Sequence, residues 1–189
     1  MSERDIALRS LHDLGLASWF GGSLAGAVAV NGAAGDLPDE RQRLRVACAG
    51  WARWAPVNLA AIVAYLAGAT GLLLADKDRV LGKEGVGVTA VAKVALTGVA
   101  LGVTAYSGVL GRKLGQAEDV PVDGATDPGP DTPPDIASAQ RQLAVCQWIV
   151  PALTGGLVVL DAVHSEMRRP TRGLPAILAK LARPLHLGN

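Results

Sequence analysis

Phenylalanine is nearly missing from this chain: it occurs once in 189 residues, beside two cysteines, two methionines and three histidines. Two cysteines exclude a disulfide scaffold and a zinc cluster, and Cys48 and Cys146 read as small buried thiols. Charge of one sign is lacking too. Lysine and arginine total 18 against 17 acidic residues, a formal net charge of +1, so the basic footprint of a nucleic-acid binder is absent and no nucleic-acid partner is expected. No catalytic triad signature, phosphate-binding loop or zinc-hydrolase motif is present, and the expectation leans against an enzyme.

What the chain has instead is long uncharged runs. They extend from Leu14 to Gly35, Trp54 to Ala75, Val94 to Gly111 and Gln142 to Leu160, each near the roughly 20 residues that a bilayer-spanning helix needs. A soluble bundle would need charges on an outer face at every turn, and these runs carry none. The mean hydropathy of +0.29 is diluted by the polar connections. The sequence therefore predicts an all-α fold: an integral membrane four-helix up-down bundle with short interfacial amphipathic helices. The spans fall at about 8–33, 55–75, 86–111 and 142–165 of a single domain. The first span is expected to be retained rather than cleaved as a signal, because His12 and Asp13 interrupt the basic-to-apolar transition of a signal peptide.

Glycine, alanine and valine dominate the spans. Gly22 with Gly26 and Gly98 with Gly102 have the small-xxx-small spacing that lets helix backbones approach closely, and both pairs are read as intramolecular packing sites. Four spans put both termini on one side with residues 76–84. Ten basic residues on that side against seven on the other place the termini in the cytoplasm and the protein in the cell membrane. Trp51, Trp54 and Trp148 are expected at the outer boundary as interfacial anchors.

The connections differ in character. In "GDLPDERQRLRVACAGWARW", Asp36 is a cap candidate, and Leu44, Cys48, Trp51 and Ala55 share one helical face. This predicts a helix lying along the outer interface, with Pro56 opening the second span. Residues 116–138 form an acidic loop rich in proline and glycine. Its stretch from Gln116 to Asp135 holds six acidic residues, five prolines and no lysine or arginine, which predicts an extended, mobile linker. Residues 170–189 read as a basic amphipathic tail resting on anionic lipids of the inner leaflet.

Polar groups inside the spans are the candidate site. Lys93 is the only charged residue between Gly85 and Gly111, about two turns into the third span. The fourth span runs the other way and brings Asp161 and His164 to the same depth, as the start of the first span does His12 and Asp13. An intramembrane ion seeks a partner, so Lys93 with Asp161 is the predicted pair, with Asp13 as the alternative acid. Lys93, Thr97, Thr104 and Ser107 share a stripe on the third span. Gln147, Thr154, Asp161 and His164 do so on the fourth, and His12, Gly15, Trp19, Gly22 and Gly26 on the first. Asn58 and Tyr65 give a shorter version on the second. His12 and His164 are also candidate axial haem or metal ligands.

"LHDLGLASWFGG" in the first span, "LAGATG" in the second, and a third-span lysine followed by "GRK" resemble the small four-helix membrane proteins around the copper-resistance D (CopD-like) group. The resemblance implies a four-helix membrane fold with His12, Trp19, Gly21, Gly22 and Lys93 at family-like positions. Copper handling is implied far less than the fold, because Met1 and Met167 are the only thioethers and no methionine- or histidine-rich tract supplies ligands.

Three function classes follow. The first is a non-enzymatic accessory or scaffold subunit without cofactor, with a membrane-protein partner or a second copy of itself. The second is a small transporter or proton-coupled permease using Lys93 and Asp161. The third is a haem or metal protein using His12 and His164.

Overall fold

The computed structural model describes residues 3–75, 86–117 and 119–168. Among the described residues it holds four long helices and no strand: α1 (Glu3–Gly35), α2 (Glu40–Ala75), α3 (Val86–Gly115) and α4 (Pro134–Arg168). All four are long and apolar enough to cross a membrane. The acidic residues Glu3, Glu40 and Asp135 stand in the first turns of α1, α2 and α4, where the helix dipole favours negative charge. Pro134 opens α4, where its missing N–H costs nothing.

The helices form a ring in which α1 lies between α2 and α4, and α3 between α4 and α2. Neighbours are antiparallel. Gly15, Gly22 and Gly26 of α1 meet Tyr65, Trp54 and Trp51 of α2 in reverse order, and Lys93 and Lys113 of α3 meet Asp161 and Asp135 of α4. Leu16, Trp19, Ile62, Tyr65, Ala100, Val150 and Leu157 build the central core, into which Thr154 also turns with its hydroxyl satisfied by the Val150 carbonyl.

Two connections differ from the sequence reading. Residues 40–55 do not form a separate interfacial helix. They continue through Pro56 as the first half of the 36-residue α2. Proline forfeits only one helical hydrogen bond there, and two wedges hold the segment upright: the Trp51 and Trp54 rings lie against Gly26 and Gly22, where any Cβ would overlap them. These two tryptophans therefore face α1, while Trp148 is 52% exposed. The cap of α2 is Asp39, whose Oδ1 accepts the Arg41 N–H at 3.0 Å; Asp36 instead follows the end of α1.

The acidic loop is not an extended linker. Val122 is fully buried against Leu44, Leu110, Leu114, Ile136 and Ala139 in a second core, and Ala125 packs with Ala34 and Ala47. Arg43 donates to the Leu37, Val122 and Asp123 carbonyls, and Arg41 to the Asp119 carbonyl. Buried Gln140 donates to the carbonyls of Gly124 and Ala125. The loop thus folds over one end of the bundle as a cap, using apolar positions that its acidic composition obscured. At 1.5 Å per residue, α2 and α4 run about 50 Å, longer than the roughly 30 Å of a hydrocarbon core. The basic tail, 170–189, and the connection 76–84 lie outside the described residues.

Candidate functional site: a charged cluster at the end opposite the cap

Four helices each supply part of the cluster. Lys93 sits in the second turn of α3, and Asp161 in the last turns of α4; its Oδ1 is 2.5 Å from Lys93 Nζ. Both side chains are 23% exposed, which puts them between a surface pair and a core pair. On α1, His12 Nδ1 lies 2.8 Å from Asp13 Oδ1, and His12 Nε2 lies 3.8 Å from Asp161 Oδ2. From α2, the Tyr65 ring stacks obliquely on His12 with centroids 4.9 Å apart. Asp13 contacts His12 rather than Lys93 and remains largely exposed.

The approach of α1 to α2 is what admits His12 into the cluster. Gly68 faces the His12 backbone and Gly15 faces the backbone of Tyr65 and Ala61, both so closely that no Cβ fits. Gly22 and Gly26 belong to the same seam. Gly98 and Gly102 do not: both are exposed with open space where a side chain would begin, so they provide no packing within this chain. Their spacing matched the motif, but α3 turns this face outward.

Above the charged layer, hydrogen bonds cross the bundle singly. Tyr65 Oη and Thr97 Oγ1 are 2.8 Å apart, and Trp19 Nε1 donates to Thr104 Oγ1 at 3.3 Å. The apolar side chains of Leu16, Ile62, Ala100, Val150 and Leu157 fill the space around these bonds. Beyond that layer, toward the cap, a second polar relay runs from Trp51 Nε1 to Asn31 Oδ1, from Asn31 Nδ2 to Gln147 Oε1, and from Gln147 Nε2 to Thr126 Oγ1. Asn31 follows a π-helical turn, Gly26–Val30, which re-aims the last turns of α1. Asn31 was missed in the sequence, although an asparagine ending an apolar run is the same kind of signal that marked Gln147.

One atom of the cluster has no hydrogen-bond partner among the described residues. Asp161 Oδ2 is enclosed and accepts no hydrogen bond, with His12 Nε2 just beyond bonding range. The arrangement can hold a charge pair in place and can rearrange around Asp161. Among the described residues no group of three His, Cys, Asp or Glu side chains could hold a metal ion. His12 has a carboxylate beside each ring nitrogen, which fits ion-pair duty better than axial ligation. The side chain of His164 lies outside the described residues. No protein-family model, no curated protein and no solved structure matches this chain.

Proposed function

We propose that the chain is a multi-pass cell-membrane protein of the accessory or scaffold class, without catalytic activity or cofactor, with both termini cytoplasmic. A kinship with the CopD-like group at the level of the four-helix fold belongs to the same proposal. The observation that carries the reading is the apolar layer of Leu16, Ile62, Ala100, Val150 and Leu157 between the charged cluster and the Asn31–Gln147 relay. It separates the two polar layers and gives the bundle the character of a closed scaffold. Lys93, Asp161 and His12 then serve to lock α1, α3 and α4 together, as polar contacts between membrane helices commonly do. The folded cap offers the partner-facing surface on the far side, and the membrane-protein partner or second copy is part of this proposal.

A second reading, a small proton-coupled permease, is favoured by one feature: the unpartnered Asp161 Oδ2 facing His12 Nε2 at 3.8 Å. Proton flux decides between them. Protein reconstituted in liposomes under an imposed pH gradient, read with an entrapped pH-sensitive dye, is expected to leak no faster than the Lys93→Met, Asp161→Asn double variant. Faster flux in the wild type that the double variant loses would replace the scaffold with the permease.

A further inference from the structure

We propose that the junction of α3 and α4 beside the cap is a binding site for an anionic phospholipid, with the lipid phosphate on Arg141. It rests on the membrane placement above but not on the scaffold role. A groove of about 460 Å³ opens there, lined by Tyr106 of α3 and Ser138, Arg141, Gln142, Val145 and Cys146 of α4.

The groove is amphipathic along its length. Arg141 immediately precedes the uncharged run from Gln142 to Leu160, and Asp161 immediately follows it. Asp161 lies twenty positions after Arg141, about 30 Å along the helix, which is the thickness of a hydrocarbon core. With the Lys93–Asp161 pair near one headgroup layer, Arg141 stands at the depth of the other. Val145, 60% exposed, and Ile149 one turn further continue the groove as an apolar track at acyl-chain depth.

Among the described residues the charge on Arg141 is uncommitted, and no carboxylate lines the groove. Asp135, six residues before Arg141 in α4, is held by Lys113 at 3.2 Å, and among the described residues Arg141 has no ion-pair partner. The other polar groups of the floor are already engaged: Tyr106 donates to Gln142 Oε1, and Gln142 Nε2 donates to the Ser138 carbonyl and Oγ at 3.2 Å. That network fixes the groove wall and leaves a guanidinium, the side chain best shaped for phosphate, as the single charged lining group. A neutral headgroup presents the same phosphate beside a compensating ammonium, so a net-negative lipid is preferred.

The test is thermal stability of the full-length protein in detergent, with dioleoylphosphatidylglycerol or dioleoylphosphatidylcholine added at matched concentrations. Phosphatidylglycerol is expected to raise the midpoint by about 5 °C more than phosphatidylcholine near saturation. Arg141→Gln abolishes that difference. Val145→Trp, which fills the groove without changing charge, reduces the shift, while Arg112→Gln, an exposed cation just beyond the apolar run of α3, preserves it. Loss of the preference in Arg112→Gln as large as in Arg141→Gln would mean general surface attraction and overturn the site. So would an unchanged preference in Arg141→Gln, or reproduction of the shift by inorganic phosphate. Stabilisation by neither lipid would remove the membrane placement as well, whereas proton flux in the liposome assay would leave the lipid site standing.

Discussion

Breaking the Lys93–Asp161 pair from either side tests the cluster most directly, and the structure predicts that the two sides differ. At 2.5 Å, unit charges attract by about 7 kcal/mol at an effective dielectric constant of about 20, and by under about 2 kcal/mol in bulk water. Both groups retain 23% exposure, so the attraction lies between these limits, and desolvation of the two ions offsets much of it. What remains is asymmetric. Asp161→Asn frees an ammonium on a four-carbon stem near the bundle end, which can reach toward headgroups. Lys93→Met strands a carboxylate on a short stem, one of whose oxygens is already unpartnered. We expect Lys93→Met to cost about 3–5 kcal/mol and Asp161→Asn less. The double variant should lose less than the sum, with a coupling of about 1–3 kcal/mol. Reversible unfolding in mixed micelles, followed by far-UV circular dichroism for all four proteins of the cycle, measures each value. Additivity within about 0.5 kcal/mol would refute the interaction, and a smaller loss for Lys93→Met than for Asp161→Asn would refute the account of the stranded carboxylate.

Two further outcomes test the packing and the orientation. Gly15→Ala should destabilise by about 1–3 kcal/mol, because the new methyl would press on the backbone of Ala61 and Tyr65 rather than on a yielding side chain, whereas Gly98→Ala, facing open space, should stay within about 0.5 kcal/mol of wild type or gain slightly in helix propensity; equal effects in a thermal melt would contradict the assigned seam. With Cys48 and Cys146 replaced by serine, a cysteine at exposed Asp131 of the cap should react with an impermeant maleimide added to whole cells while one at exposed Arg9 stays unlabelled, and the opposite pattern would invert the proposed topology.

The four helices were legible because the length of an uncharged run is a one-dimensional property that hydrocarbon thickness reads directly. The meeting of Lys93 with Asp161 was legible for the same reason: depth along antiparallel spans follows from counting residues. Rotation about each helix axis and the partner of each face are not one-dimensional. Gly22 and Gly98 carry the same motif, yet one receives the Trp54 ring and the other faces outward. Residues 40–55 had the face of an interfacial helix, but the fit of Trp51 and Trp54 against two glycines stands that face upright on α1. The loop's acidic composition described its surface, while Val122 and Ala125, two residues among many polar ones, bury themselves only because Leu44, Leu114 and Ala34 are brought beside them. Composition and run length thus determined by themselves the four long apolar helices among the described residues, the shared depth of Lys93 and Asp161, and the apolar character of the bundle. Tertiary structure alone decided which glycines touch, where Arg43 and Asn31 bond, and that the loop folds, because each requires contacts between segments far apart in the chain whose free energy no local pattern contains.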